Sequence, residues 1–353
     1  MKEKVKENKG VYADENQEVD PNWLAAYLYY SEPWEDLLSE AVKPFCEQVM
    51  KEGLADEYFF IRYWERGPHI RLRFKGDPEK MEHDLKPRLT EHFTNYMEKH
   101  PSERTEPEWL KDADADMQWF PNNSVQYIPY QPEVVRYGGK HGILVGEQEF
   151  MANSTAVLSL IGESSGWDYS RALGAAIQLH LGFSYGLGMD LNEMRAFFDR
   201  FYNNWLPRAY YFFEKDISKE EMESRRKETL ESFEKTWESQ REPISAFFKM
   251  VWEAMEEDVE FEQEWLNTWI EDMRKVKANL VKLQEEGKLE PPAWYPHKKP
   301  DEYDQYTFDR WRIYDSYVHM TNNRLGIQNR DEAYLAYLIK KCLDIMLAET
   351  VEK

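Results

Sequence analysis

Cysteine is nearly missing from this 353-residue chain: Cys46 and Cys342 stand alone, far apart and without metal-like spacing. Two thiols in a chain this long fit a reducing cytoplasm. Long apolar runs are missing too. None approaches the roughly 18 residues that a membrane span needs, and the opening MKEKVKENKG has no apolar stretch behind it, so it does not read as a secretory signal. Basic charge is scarce, 45 Lys and Arg against 67 Asp and Glu, for a net charge of −22. A surface so acidic repels phosphates and argues against direct nucleic-acid binding. HExxH, CxxC and Walker A motifs are all absent, and Gly186-Leu-Gly188 is too short for a dinucleotide fingerprint. No metal or nucleotide cofactor is therefore implied. The expectation is a soluble, cytoplasmic protein.

What the chain has in quantity is aromatic surface: 13 Trp, 22 Tyr and 18 Phe, within a hydrophobic fraction of 42%. That suffices for a sizeable core in one large domain or two small ones. The same rings suit a groove for an extended peptide, and the acidic surface would tolerate a basic peptide, although solubility alone also accounts for the charge.

Residues 1–20 read as a loose polar tail. Trp23–Tyr30 reads as an apolar strand, and Leu37, Leu38, Ala41, Val42, Phe45 and Val49 repeat at helical spacing up to Gly53. Tyr58–Trp64 and His69–Phe74 are strands about a Gly67-Pro68 turn, and a helix follows near 78–99. This β-α-β-β-α order predicts an α+β fold, a mainly antiparallel sheet with ferredoxin-like or split β-α-β elements packed with a large helical portion. Residues 101–126 read as a loop or insertion, Tyr127–Tyr137 as extended, and Phe150 to about Gly162 as a helix capped by Asn153 or Ser154. Helices are expected over 168–215, 217–241, around Ile244–Met255, and over 308–325 and 330–350, with a Pro-, Lys- and Glu-rich loop at 284–304. The chain from 21 to 353 is expected to form a single domain, with insertions near 101–126 and 214–245.

Three constellations carry chemistry. On the 69–74 strand, His69, Arg71 and Arg73 alternate with Ile70, Leu72 and Phe74, which places two guanidinium groups about 6–7 Å apart on one face. Such a pair suits a carboxylate or phosphate; salt bridging on a solvated face is the competing use. Arg62 on the neighbouring strand is read as joining them. Second comes Glu133-Val-Val-Arg136-Tyr137-Gly138-Gly139, an ion pair or shared anion site beside a turn, or a plain turn. Third, in His319-Met-Thr-Asn-Asn323-Arg324, His319 and Asn323 share a helix face. Histidine is the general base by type, since its unperturbed pKa lies near neutrality, although a lone helical histidine also serves simple packing. His180, in an apolar stretch, reads as a core residue.

Taken in order, FFIRYWERGPHIRLRF, PEVVRYGG and HMTNNRL resemble the C-terminal glutamate-elimination domain of class I lantibiotic dehydratases, which also occurs alone as a thiopeptide-type bacteriocin biosynthesis protein. The resemblance runs from about Trp23 to Ile345. It implies a lyase that removes glutamate from glutamylated Ser or Thr of a ribosomal precursor peptide, leaving dehydroalanine or dehydrobutyrine. It also implies catalytic roles for Arg71, Arg73, Glu133, Arg136 and His319, with Arg62, His69, Tyr137, Asn323 and Arg324 as substrate-binding neighbours. The arginines would hold the glutamyl group and its charge, His319 would transfer the proton, and Glu133 would orient an arginine or act as base. The partners implied are the leader-core precursor peptide and a separate glutamylation subunit that uses glutamyl-tRNA; homodimerisation is left open. Free-standing proteins of similar fold support an alternative, a formal [4+2] cycloaddition of two dehydroalanines that builds the pyridine of a thiopeptide. A non-catalytic leader-docking module is the third reading.

Overall fold

The computed structural model describes residues 20–163, 166–211, 217–293 and 298–351. Most of the expected N-terminal tail, the start of the second expected insertion and His297 lie outside these. The chain divides into two compact units, residues 1–162 with 280–293, and residues 163–279 with 294–353.

The first unit is built on four antiparallel strands: β1 (Trp23–Tyr29), β2 (Glu57–Tyr63), β3 (His69–Lys75) and β4 (Ser124–Tyr127). They lie in the order β2-β3-β1-β4, the ferredoxin-like arrangement, and the fold is α+β as the strand and helix patterning predicts. Strand β1 lies inside the sheet and is buried along its whole length, hence a continuous apolar run rather than an alternating one. After a π-helical stretch (Leu37–Val42), α1 (Lys43–Lys51) joins β1 to β2. The short α2 (Pro78–Lys80), a π-helical turn (Met81–Leu85) and α3 (Lys86–Lys99) follow β3. Ile70, Leu72 and Phe74 are fully buried, and Phe45 bridges Phe74 to Phe93 of α3 at centroid distances of 5.9 and 5.3 Å.

The apolar register also decides where Arg62 points. It pairs with Ile70, on the face opposite His69, Arg71 and Arg73, where it is buried and bound to Glu35 at 2.8 Å. The expectation that Arg62 joins the other arginines is thus corrected by strand parity: a one-residue offset reverses the face.

Helix α4 (Gly139–Glu163) is longer than the expected 150–162 helix, so Asn153 and Ser154 are interior residues rather than caps. Its start is set by Gly138 and Gly139, both at positive φ, 93° and 83°. Ser154 instead serves the sheet, where its Oγ accepts the Phe60 backbone N–H at 3.1 Å and so covers a donor of edge strand β2. The 127–137 segment is not an extended strand. It begins at the end of β4 and closes in turns, with Arg136 N–H donating to the Glu133 carbonyl and Gly139 N–H to that of Val134.

The second unit is helical: α5 (Tyr169–Gly186), α6 (Leu191–Tyr210), α7 (Lys219–Glu256), most of α8 (Glu264–Glu285), α9 (Gln305–Leu325) and α10 (Asn329–Val351). Helix α6 packs extensively on α10, while α5 touches α7, α9 and α10. Two helices expected on either side of Arg241 are one, α7, running through Pro243. An interior proline costs about 3 kcal/mol, and burial of Phe233, Trp237, Phe248, Val251, Trp252 and Met255 along the same helix outweighs it. No helix among the described residues is long and apolar enough to cross a membrane.

Candidate functional site

The polar face of β3 carries His69, Arg71, Arg73 and Lys75, flanked by Trp23, Ala25, Tyr27 and Tyr29 of β1 and Glu57, Phe59, Ile61 and Tyr63 of β2. Cationic side chains in such a row repel one another, so each must be held in place by other contacts.

Arg71 is held on all sides. Its guanidinium carbon stands 3.6 Å from the Tyr63 ring centre and 4.8 Å from that of Tyr27. Its Nη2 meets Glu65 at 3.0 Å, and its Nε donates to His69 Nε2 at 3.1 Å. His69 is fully buried and packed against Tyr27 and Tyr29. Burial pushes its pKa down to about 3. The ring is therefore neutral, with Nδ1–H donating to the Gly67 carbonyl at 2.7 Å and Nε2 accepting from Arg71. His69 thus orients Arg71 from beneath.

Arg73 differs. It is 7% exposed and lies over Phe59 and Tyr130, at 5.1 and 4.3 Å from their ring centres. Among the described residues it forms no ion pair, and its buried Nε has no hydrogen-bond partner. A guanidinium so far from water is ordinarily matched by a carboxylate.

The Glu133–Arg136 block belongs to the same unit. Arg136 Nη1 donates to Glu133 at 3.2 Å. Burial raises the pKa of Tyr63 and of Tyr130 against the pull of Arg71 and Arg73; Glu65 and Glu147 respectively add to the rise, with Glu133 a smaller contributor to both. Tyr137 is buried, edge-on to Phe150 at 4.8 Å, with Gly142 beneath it. A Cβ at Gly142 would lie 2.3 Å from the Tyr137 carbonyl oxygen. Of the five residues expected to be catalytic, Arg71 and Arg73 share the polar sheet face, while Glu133 and Arg136 pair with each other in the same unit.

One charged group there was not expected. Glu147 on α4 is 3% exposed, and Lys75 reaches both Glu147 and Glu57 at 3.4 Å. Burial pushes the Glu147 pKa up to about 7, and Lys75 draws it partly back. Burial opposes the charge on Lys75, but its two carboxylates hold its pKa above the ordinary value. Acidic residues within the apolar run Ile-Leu-Val-Gly-Glu-Gln-Glu-Phe were the available signal.

His319, Asn323 and Arg324 belong to α9 in the second unit. The His319 side chain is 20% exposed and stacks on Trp205 at 4.5 Å. Its Nδ1 is 2.9 Å from Glu332, which is fully buried on α10. Asn323 is half-buried, its carbonyl accepting the N–H of Gly326 in the C-cap, while Arg324 is fully buried within the packing. His180 is a buried core residue, as its apolar setting suggests, and it also bonds Asn322 at 2.9 Å. Among the described residues no cluster of three His, Cys, Asp or Glu side chains is arranged to hold a metal.

Known proteins share this sequence pattern and fold. A family model described as the C-terminal part of the lantibiotic biosynthesis dehydratase matches residues 23–343. The subtilin biosynthesis protein SpaB of Bacillus subtilis is 29% identical over 141 residues, which cover 40% of this chain and only 12% of that relative's length. Among solved structures, TbtD, a pyridine synthase from thiomuracin biosynthesis, superposes with a TM-score of 0.68 at 17% identity, over 93% of this chain and 99% of its own. TsrL gives 0.61 at 20% identity over 92% and 95%. The tRNA-dependent lantibiotic dehydratase MibB of Microbispora sp. 107891 gives 0.56 at 18% identity, over 93% of this chain but 28% of its own. At these identities the likeness is one of fold.

Proposed function

The chain belongs to the family of the lantibiotic biosynthesis dehydratase C-terminal domain, and from that premise we propose that it eliminates glutamate from glutamylated Ser or Thr residues of a ribosomal precursor peptide. A base removes the Cα proton, the Cα–Cβ double bond forms, and the Cβ–O bond breaks. Glutamate leaves with the ester carboxyl as a carboxylate, and the proton passes from the base to water. Negative charge develops on the neighbouring amide oxygen and on the departing carboxylate, and fixed cations lower the barrier most where charge develops.

The observation that carries this reading is Arg73, a nearly buried guanidinium without a protein carboxylate among the described residues, next to an Arg71 fixed by His69, Glu65 and two tyrosine rings. Arg73 is assigned to the glutamyl carboxylate, and Arg71 to the charge that develops during bond breaking. Arg136, oriented by Glu133, supports the same anion. His319, with one ring nitrogen bound to Glu332, is assigned the proton transfer. The precursor peptide and a separate glutamyl-tRNA-dependent glutamylation subunit are the partners this reaction requires.

The test is mass spectrometry of a synthetic peptide bearing one glutamyl-serine ester, with purified wild type, Arg73→Ala and His319→Ala. Loss of glutamate to give dehydroalanine is expected for wild type, with a drop of at least 100-fold in either variant. A second peptide, esterified with glutamine, should react more slowly because it lacks the side-chain carboxylate. Equal rates for the two peptides would remove the role given to Arg73. An ester left intact by wild type would remove the elimination reading.

A further inference from the structure

A chain of three buried polar groups lies behind His319. His180 Nε2 is 2.9 Å from Asn322 Oδ1, Asn322 Nδ2 is 3.0 Å from Glu332 Oε2, and Glu332 Oε1 is 2.9 Å from His319 Nδ1. The residues come from α5, α9 and α10, and His180, Asn322 and Glu332 are at most 1% exposed. Holding a carboxylate and two imidazoles this way is demanding in a helical core, where an apolar trio would pack as well.

The amide gives the chain its direction. Asn322 Oδ1 only accepts, so His180 Nε2 must carry the hydrogen. Burial of His180, which pushes its pKa down to about 4, agrees with a neutral ring there. Asn322 Nδ2 only donates, so Glu332 Oε2 accepts. The remaining oxygen, Oε1, then takes the hydrogen of His319 Nδ1. His319 Nε2 is left as the acceptor nitrogen, on a ring that is 20% exposed and steadied by Trp205 at 4.5 Å. An amide in the middle does not pass protons, so the array orients rather than relays.

We propose that Glu332 is a positioning residue that locks His319 in its Nδ1–H tautomer with Nε2 free to take a proton, and that Asn322 sets the polarity of that lock. The catalytic consequence rests on the reading of His319 as the proton-transfer group; the tautomer does not. In Glu332→Gln the side chain offers one acceptor where two donors converge. The arrangement that satisfies every group has the glutamine carbonyl facing Asn322 and its NH2 facing His319 Nδ1. That turns His319 into the Nε2–H form, which cannot accept a proton at Nε2.

The experiment uses the full chain with nitrogen-15 histidine, the His319 signals being assigned by their loss in His319→Gln. Long-range proton–nitrogen correlation should report Nδ1–H in wild type and Nε2–H in Glu332→Gln. Glutamate elimination should then lose about 10²- to 10⁴-fold in kcat with KM within about threefold. Glu332→Asp, which keeps the charge, should restore Nδ1–H and at least tenfold of the lost kcat, and it also serves if the glutamine variant fails to fold. Nε2–H in wild type, or an unchanged tautomer in a folded Glu332→Gln, would overturn the lock. A wild-type kcat in His319→Gln would overturn the assignment of His319 and leave the tautomer result standing on its own.

Discussion

Replacing Arg73 with methionine asks whether that guanidinium serves a ligand or the fold. The side chain is 7% exposed, with Arg71 and Lys75 two residues away on the same face and no carboxylate partner among the described residues. A charge held that far out of water without a counter-ion costs several kcal/mol, taken as about 3 kcal/mol after relaxation. Contacts with the Phe59 and Tyr130 rings return about 0.5–2 kcal/mol. Methionine keeps the length and the apolar contact with both rings while removing the charge. Arg73→Met is therefore expected to be more stable than wild type by about 1–3 kcal/mol, while losing elimination, the trade-off typical of a residue kept for function. Urea unfolding at pH 7.5 followed by tryptophan fluorescence measures the difference. Free glutamate at 100 times its Kd should then stabilise wild type by about 2.7 kcal/mol and leave the variant unmoved. A variant less stable than wild type by more than about 1 kcal/mol would show that Arg73 is a structural member, and an equal response to glutamate in both would refute the anion site.

His180 and Glu147 should give stability opposite pH slopes. His180 has its pKa pushed from 6.5 to about 4 by burial, so below pH 6.5 the unfolded chain takes up a proton that the folded one refuses. Stability is then lost as pH falls from 6.5 toward 4, by up to about 3 kcal/mol, and His180→Gln should flatten that slope in urea titrations. Glu147 has its pKa pushed from 4.5 to about 7, again by burial, so between those values the folded state holds a proton that the unfolded state has released. Stability is lost there as pH rises, also by about 3 kcal/mol, and Glu147→Gln should gain on wild type between pH 5 and 8. The two slopes partly cancel in wild type, so the single variants reveal them; a flat difference for either would contradict its assignment. Gly142→Ala should destabilise by about 1–3 kcal/mol in thermal unfolding, because the added methyl would stand 2.3 Å from the Tyr137 carbonyl oxygen. An unchanged melting temperature would mean that the Tyr137 turn yields freely.

Period-two alternation made the polar face of β3 readable, because Ile70, Leu72 and Phe74 had to be buried and left His69, Arg71 and Arg73 opposite them. Strand β2 offered no such guide. Tyr58 and Phe60 on one face and Phe59 and Ile61 on the other are all apolar, so the parity of Arg62 could not be seen without the register. Helix ends failed for a related reason. Gly138 and Gly139 mark a start only once their positive φ is known, and Pro243 breaks a helix only where packing does not hold it. Helix α8 is absent from the sequence-based expectation although its apolar spacing, with Trp265, Trp269, Met273 and Val276 buried, is regular. Block order singled out Arg71, Arg73, Glu133, Arg136 and His319 as candidates. Glu332 and Glu147 stayed hidden because their partners, His319 and Lys75, are 13 and 72 residues away. Nothing local distinguishes such a carboxylate from its solvated neighbours.

Which bond this protein breaks or makes can be measured in one competition. Wild-type protein receives equimolar glutamyl-serine ester peptide and a peptide with two dehydroalanines, and both are followed by mass spectrometry. The prediction is loss of glutamate from the first peptide, abolished in Arg73→Ala, with the second unchanged. Ring formation in the second with the ester intact would contradict elimination and assign the fold to cycloaddition.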